Sequence, residues 1–245
     1  MAVKAIVNEA VQIWIRDVAL PNPVVVLEAG CGSTSDVELP FEKKVIGIDI
    51  DAEQLEHNDK VDEKIQGDLQ TYELPRDKFD FVACVDVLEH LPSPEKAIAN
   101  MSRSLKPGGY LLVAGPELYS YKGLVAKYTP HSMRHFIFKL VTGRPAQDLR
   151  RIHGNGQIFI PTYLKPVCSR RNLASAAKQY GLNVVFEKGV DGYSNSELLR
   201  PVYKRFLGAV NLFTRVIEAI TNGRINLLLA DFVVLLRKGE RLGQR

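Results

Sequence analysis

The chain has 245 residues, 46% hydrophobic and 24% charged, which suits one α/β domain with embellishments and excludes a disordered or fibrous chain. The net charge of +4 hides a split: residues 1–115 hold 11 Lys and Arg against 20 Asp and Glu, and residues 116–245 hold 21 against 8. The longest apolar run, Ile225 to Leu236, is too short for a bilayer and carries Asn226 and Asp231, which argues against a membrane-spanning chain.

Three cysteines, Cys31, Cys84 and Cys168, follow no metal-ligand spacing, so reduced thiols in a cytoplasmic setting are expected. Residues 1–17 lack a basic leader with an uninterrupted apolar core, so no secretion signal is expected. Val7, Val11, Trp14 and Val18 recur at helical spacing and predict an amphipathic opening helix, ended by Pro21 and Pro23. Val24-Val25-Val26-Leu27 then reads as a strand buried on both faces. Glu28 ends that apolar run. Gly30 and Gly32, flanking Cys31, allow a sharp turn and close backbone approach to a ligand, and the polar run Ser33 to Asp36 follows.

Only about a dozen residues, interrupted by Pro40, separate Gly32 from the next strand, so any helix there is short or distorted. Val45-Ile46-Gly47-Ile48-Asp49 is a strand ending in an acid, which places a carboxylate at the carboxyl end of a neighbouring strand. Glu63-Lys64-Ile65 predicts a brief third strand, and Gly67-Asp68-Leu69 adds another acid in a turn. Phe79 to Val85 is a fourth strand, running into Asp86-Val87-Leu88-Glu89-His90. Ser93-Pro94-Glu95 reads as a helix start with a hydroxyl cap, whose inward face is Ala97, Ile98, Met101 and Leu105. Pro107-Gly108-Gly109 stops that helix before the strand Tyr110 to Ala114. A helix over Asn172 to Tyr180 is closed by Gly181. Strands over Asn183 to Glu187 and Asp231 to Arg237 complete the skeleton.

A glycine-rich turn after a first strand also occurs in NAD-binding folds, but those want a third glycine where Ser35 stands. The ordered set from Val24–Gly32 through Asp49, Gly67–Asp68, Asp86–His90 and Leu105–Ala114 resembles the class I S-adenosylmethionine (SAM)-dependent methyltransferases. The resemblance is firm over residues 22–115 and looser over 169–190 and 230–238. It implies a Rossmann-like, doubly wound, seven-stranded α/β sheet, mostly parallel with the last strand antiparallel. Residues 1–245 would form a single domain, with cap insertions at about 116–168 and 191–229 over the site.

The resemblance also implies SAM as methyl donor. Glu28, Gly30, Cys31 and Gly32 would cradle its methionine portion. Asp49 would take the ribose hydroxyls, Ile50 beside it would belong to the same cofactor site, Asp68 and Leu69 would lie beside the adenine, and Asp86 near the methionine end. Thr34 stands where such families commonly have a further glycine. Asp86, Glu89 and His90 resemble a Mg²⁺-binding cluster of ubiquinone-pathway and small-RNA methyltransferases. The same Leu-Glu-His-Leu run starts a helix in many metal-free members, and no metal is expected.

Methyl transfer from a sulfonium needs donor and acceptor held in line, and a base only where the acceptor is protonated. Tyr119, Tyr121, His131 and His135, in the first insertion, are the candidates to touch or deprotonate an acceptor; a core aromatic or surface-helix role is the plain alternative. The basic, apolar cap suggests a small-molecule, lipid-linked or glycan-type acceptor, methylated at a hydroxyl. Nucleic-acid methylation would use the basic half but lacks an Asn/Asp-Pro-Pro-aromatic turn after the fourth strand. A binding protein that kept the fold without catalysis is the third class. The segment Glu197 to Ile220 sets apolar residues at helical spacing among Arg200, Lys204, Arg205 and Arg215. Its apolar face is expected to pack over the active site; the alternative is peripheral contact with an anionic membrane. Nothing in the sequence indicates an oligomeric state.

Overall fold

The computed structural model describes residues 2–17, 21–34, 37, 39–120, 127–128, 162–191, 212–222, 227 and 229–240. Seven strands form one sheet: β1 (Val24–Ala29), β2 (Lys43–Asp49), β3 (Glu63–Gln66), β4 (Phe79–Val85), β5 (Leu105–Pro116), β6 (Leu182–Asp191) and β7 (Leu229–Lys238). Their order is β3-β2-β1-β4-β5-β7-β6. β1 to β5 pair in parallel, while β7 runs antiparallel to both β5 and β6.

The near-continuous apolar runs make this arrangement stable because successive side chains point to opposite faces and both faces are covered. Val24, Val26, Phe81, Ala83, Leu112 and Val233 enter one core layer. Leu27, Ala29, Val82, Cys84, Leu111 and Val234 enter the other. The first layer is closed by α1 (Ala2–Asp17), which buries Val7, Ala10, Val11 and Trp14. Trp14 stacks on Phe81, ring centroids 4.2 Å apart, and meets Phe41 edge-on at 5.7 Å. Truncating such a fully buried indole would cost about 3–5 kcal/mol.

The second layer is covered by α3 (Pro94–Ser104), through Ala97, Ile98 and Met101, and by α4 (Arg170–Gln179), through Leu173 and Ala177. A short α2 (Ala52–Glu56) follows β2. It buries only Leu55, too little periodicity to announce it in the sequence, and Asp51 caps it by accepting from the Glu53 and Gln54 N–H groups. Those bonds, that of Gln54 foremost, lower the Asp51 pKa.

Several local expectations need correction. Ser93 precedes α3 but its hydroxyl makes no cap bond; instead its N–H donates to Gln70 Oε1 at 2.8 Å. α4 begins at Arg170, two residues early, although Gly181 closes it in the left-handed region at φ +74°. β6 and β7 run to ten residues each because their antiparallel ladder continues past the apolar stretches. No helix occurs among the described residues between β1 and β2.

From β1 the chain steps outward to β2 and β3, then returns to lay β4 on the other side of β1. Loops leaving β1 and β4 therefore diverge, and a crevice opens at the carboxyl ends of these strands.

Candidate functional site

That crevice is an open cleft of about 230 Å³, lined by Glu28, Ala29, Gly30, Cys31 and Thr34 from β1 and its turn, Val37, and Ala83 and Val85 from β4. The turn forms because Gly30 and Gly32 take left-handed φ values, +73° and +49°, where a Cβ is strained. At Gly30 a Cβ would also collide with the Val87 side chain. Gly30 and the buried Glu28 both line the cleft.

The carboxylate of Asp49, at the end of β2, grips the turn directly. Its Oδ2 accepts from the Gly32 N–H at 2.8 Å and its Oδ1 from the Asp51 N–H at 2.9 Å. A carboxylate has about four acceptor sites, so it can still take hydroxyl donors from a ligand. Ile50, next in the chain, is 69% exposed.

Asn58 holds the turn from behind, and sequence reasoning missed it. Fully buried, its amide donates to the carbonyls of Cys31 (3.3 Å) and Gly32 (3.2 Å), and its Oδ1 accepts from the Lys60 N–H (3.1 Å). Nothing in the sequence around it announces this role. The Cys31 thiol lies against Gly47, where a Cβ would come within 2.7 Å of the sulfur. Burial first, then the negative charges of Asp49 and Glu28, push its pKa to about 12. Cys31 is thus a neutral packing residue, not a nucleophile. Cys84 and Cys168 are likewise buried free thiols with raised pKa values, chiefly through desolvation.

Asp68 closes its own turn, accepting from the Gln70 N–H at 2.8 Å and from the Gln70 side-chain amide; Leu69 beside it is buried. A second overlooked asparagine anchors this turn: Asn100 of α3 donates to the carbonyls of Leu69 (3.0 Å) and Tyr72 (2.6 Å). It sits three residues after Ala97 on the inward helix face, and that polar break in an apolar stripe was the available signal. Gly67 N–H donates to the Asp49 carbonyl at 2.9 Å, so the Asp49 and Asp68 turns adjoin.

Asp86 leaves β4 with a left-handed φ of +53° and is exposed. Glu89 is buried, its carbonyl accepting from Tyr163 and Leu164 N–H groups, and its carboxylate lies 3.8 Å from His90 Nε2. A Cβ on Gly115 would stand 3.4 Å from Glu89 Oε2 and 4.0 Å from Asp86 Oδ1, so the end of β5 adjoins both acids. Among the described residues no group of three His, Cys, Asp or Glu is arranged to hold a metal ion.

Tyr119 is half-buried against the second core layer. Tyr121, His131 and His135 lie outside the described residues, as do most of both cap insertions, including Arg200, Lys204 and Arg205. The structure therefore brings Glu28, Gly30 and Cys31 to one crevice, with Gly32 on the same turn bonded to Asp49 and Asp68 on the adjoining turn.

Comparison with known proteins agrees with this geometry. The methyltransferase-domain family matches residues 5–187. Ubiquinone biosynthesis O-methyltransferase of Pseudomonas paraeruginosa is 30% identical over 157 residues, 55% of this chain and 67% of that protein. An uncharacterized protein in a transposon of Streptomyces fradiae is 28% identical over 216 residues, 79% of this chain and 62% of that one. The chain thus spans about two thirds of the length of these relatives. Among solved structures, a SAM-dependent methyltransferase from Archaeoglobus fulgidus superposes with a TM-score of 0.53 at 18% identity, covering 96% of this chain and 94% of the other. Phosphoethanolamine N-methyltransferase 2 of Haemonchus contortus, in complex with SAM, gives 0.55 at 16%, covering 95% and 53%. Such structural likeness speaks for the fold alone, and the family match over most of the chain carries the assignment further: this protein belongs to the class I methyltransferases, which take their methyl group from SAM.

Proposed function

We propose that the chain methylates a hydroxyl of a small-molecule, lipid-linked or glycan-type acceptor. The observation that carries the site is the glycine crevice at the β1–β4 switch point, whose turn is held by Asp49 at the end of β2. Bound SAM supplies a methyl group already activated by sulfonium charge, so the protein's task is placement and exclusion of water.

In this reading the Gly30–Gly32 backbone and Glu28 receive the methionine portion, and Asp49 uses its remaining acceptor sites for the ribose hydroxyls. Ile50 offers its exposed side chain to one face of the adenine, while Asp68 and Leu69 border its edge. Asp86 stands at the carboxyl end of β4, on the methionine side. A hydroxyl acceptor stays protonated at neutral pH, so a base must take its proton; Tyr119, Tyr121, His131 and His135 are the candidates. Support for an oxygen acceptor comes from the relative named as an O-methyltransferase. The excess of cations in residues 116–245 favours an acceptor bearing acidic groups. The single domain running through both insertions belongs to the same reading.

The test is to incubate the protein with methyl-labelled SAM and separate fractions of a cell extract. Label in solvent-extractable material, stable to mild alkali as a methyl ether is, supports the proposal. Label confined to RNA, or released by alkali as methanol from an ester, overturns it.

A further inference from the structure

Residues 212–220 form a helix that is inside out. Leu212, Phe213, Val216 and Ile220 are 69%, 63%, 48% and 79% exposed, and their spacing puts them on one face. The opposite face turns Thr214 inward, 3% exposed, with Thr221 next to it donating its hydroxyl to the Ile217 carbonyl at 2.7 Å. A surface helix ordinarily does the reverse, apolar stripe to the core and polar face to water. Of the segment expected to pack over the site, residues 197–211 lie outside the described residues, and over 212–220 the apolar side chains are exposed.

The helix lies at a particular place. Arg171, at the start of α4, reaches the Asn222 carbonyl at 3.5 Å. α4 begins where the chain returns from the end of β5, since the Leu118 N–H donates to the Cys168 carbonyl at 2.9 Å. The helix thus stands at the carboxyl edge of the sheet, the edge that carries the crevice. The same edge exposes Tyr163, Lys165 and Arg171, and Arg215 is exposed beside the apolar stripe.

We propose that this helix is an interfacial anchor that seats the carboxyl edge of the sheet on an anionic lipid bilayer. Bulky aliphatic and aromatic groups flanked by Arg, Lys and Tyr have the composition of an element that dips its apolar face below the headgroups and leaves cations among them. Charge complementarity selects a bilayer over other occupants. Among the described residues, Lys165, Arg171 and Arg215 are exposed at the edge that bears the helix, so an anionic surface attracts that edge. The anchor would turn the cleft toward the membrane, where a lipid-linked acceptor resides. Binding itself does not depend on the acceptor reading, and the assay below measures it without turnover.

The full chain is sedimented with vesicles of phosphatidylcholine alone or mixed with phosphatidylglycerol. Pelleting with the anionic vesicles only, weakening as salt is raised, is expected. Phe213→Ser with Ile220→Ser should lower partitioning by about tenfold or more, and Arg215→Glu should lower it severalfold. These side chains are exposed, so melting temperature and S-adenosylhomocysteine (SAH) affinity should hold. Should the double variant fail to fold, Arg215→Glu carries the test. The proposal is overturned if the protein stays in the supernatant with anionic vesicles at low salt, or if all variants pellet like the parent. It is also overturned if ultracentrifugation shows a dimer that Phe213→Ser dissociates, since the face is then covered by a second copy.

Discussion

Replacing Asn58 by leucine tests whether the crevice depends on a side chain that never touches the ligand. The change keeps the branched shape of a fully buried residue and removes both N–H donors to the Cys31 and Gly32 carbonyls, together with the acceptor for the Lys60 N–H. At 3.3 and 3.2 Å these bonds are long, so each is assigned the lower part of the usual 0.5–1.5 kcal/mol range, and the pair about 1–2 kcal/mol. In the ligand-free protein the turn can relax and give its carbonyls to water. Binding must then restore the turn, and most of that energy moves into affinity. The expected outcome is a dissociation constant for SAH raised about 5- to 30-fold, at roughly tenfold per 1.4 kcal/mol. The melting temperature should fall by only about 2–4 °C per kcal/mol left in the folded state. Isothermal titration and thermal unfolding of the same preparation measure both. An unchanged affinity alongside a lowered melting temperature would refute the argument and make Asn58 scaffold only.

Three further predictions rest on the same turn. Gly30→Ala should abolish detectable SAH binding, because the new Cβ meets both a φ of +73° and the Val87 side chain. Adding Val87→Ala should restore part of the affinity, and titration of the double variant checks it. Asp49→Ala removes the Gly32 N–H acceptor together with the proposed ribose partner, for a combined loss of about 2–4 kcal/mol of binding free energy; Asp49→Asn, which keeps one acceptor oxygen, should lose less. Alkali should unfold the protein in part through Cys31. Its thiol pKa rises from 9.0 to about 12 on folding, so its contribution is complete below pH 9 and is lost progressively as pH climbs from 9 to 12. Denaturant titrations across that range should show Cys31→Ala declining less steeply than the parent, and parallel curves would exclude the thiol as a cause.

Much of the site could be read from the chain because its parts are covalently close or carry their signal in periodicity. Four apolar residues, three of them β-branched, specify a strand buried on both faces, and Gly30 and Gly32 then locate the turn within three positions of its end. Asp49 follows from the next strand by the same logic. Long apolar runs also foretold the parallel sheet, since only a sheet covered on both sides tolerates them. What tertiary structure alone decided is the partner of each polar side chain. Asn58 reaches back 26 and 27 positions to the turn, and Asn100 reaches 28 and 31 positions to the Asp68 turn. Ser93 has the composition of a cap, yet its hydroxyl makes no cap bond and its N–H is taken by Gln70. The helix at 212–220 carries an ordinary amphipathic pattern, and only its placement shows that the apolar side faces outward. Hydrophobic periodicity records that a face will be covered. It does not record by what, because a hydrogen-bond partner or a covering surface is chosen when separately formed elements dock, and that geometry is not local to any stretch of the chain.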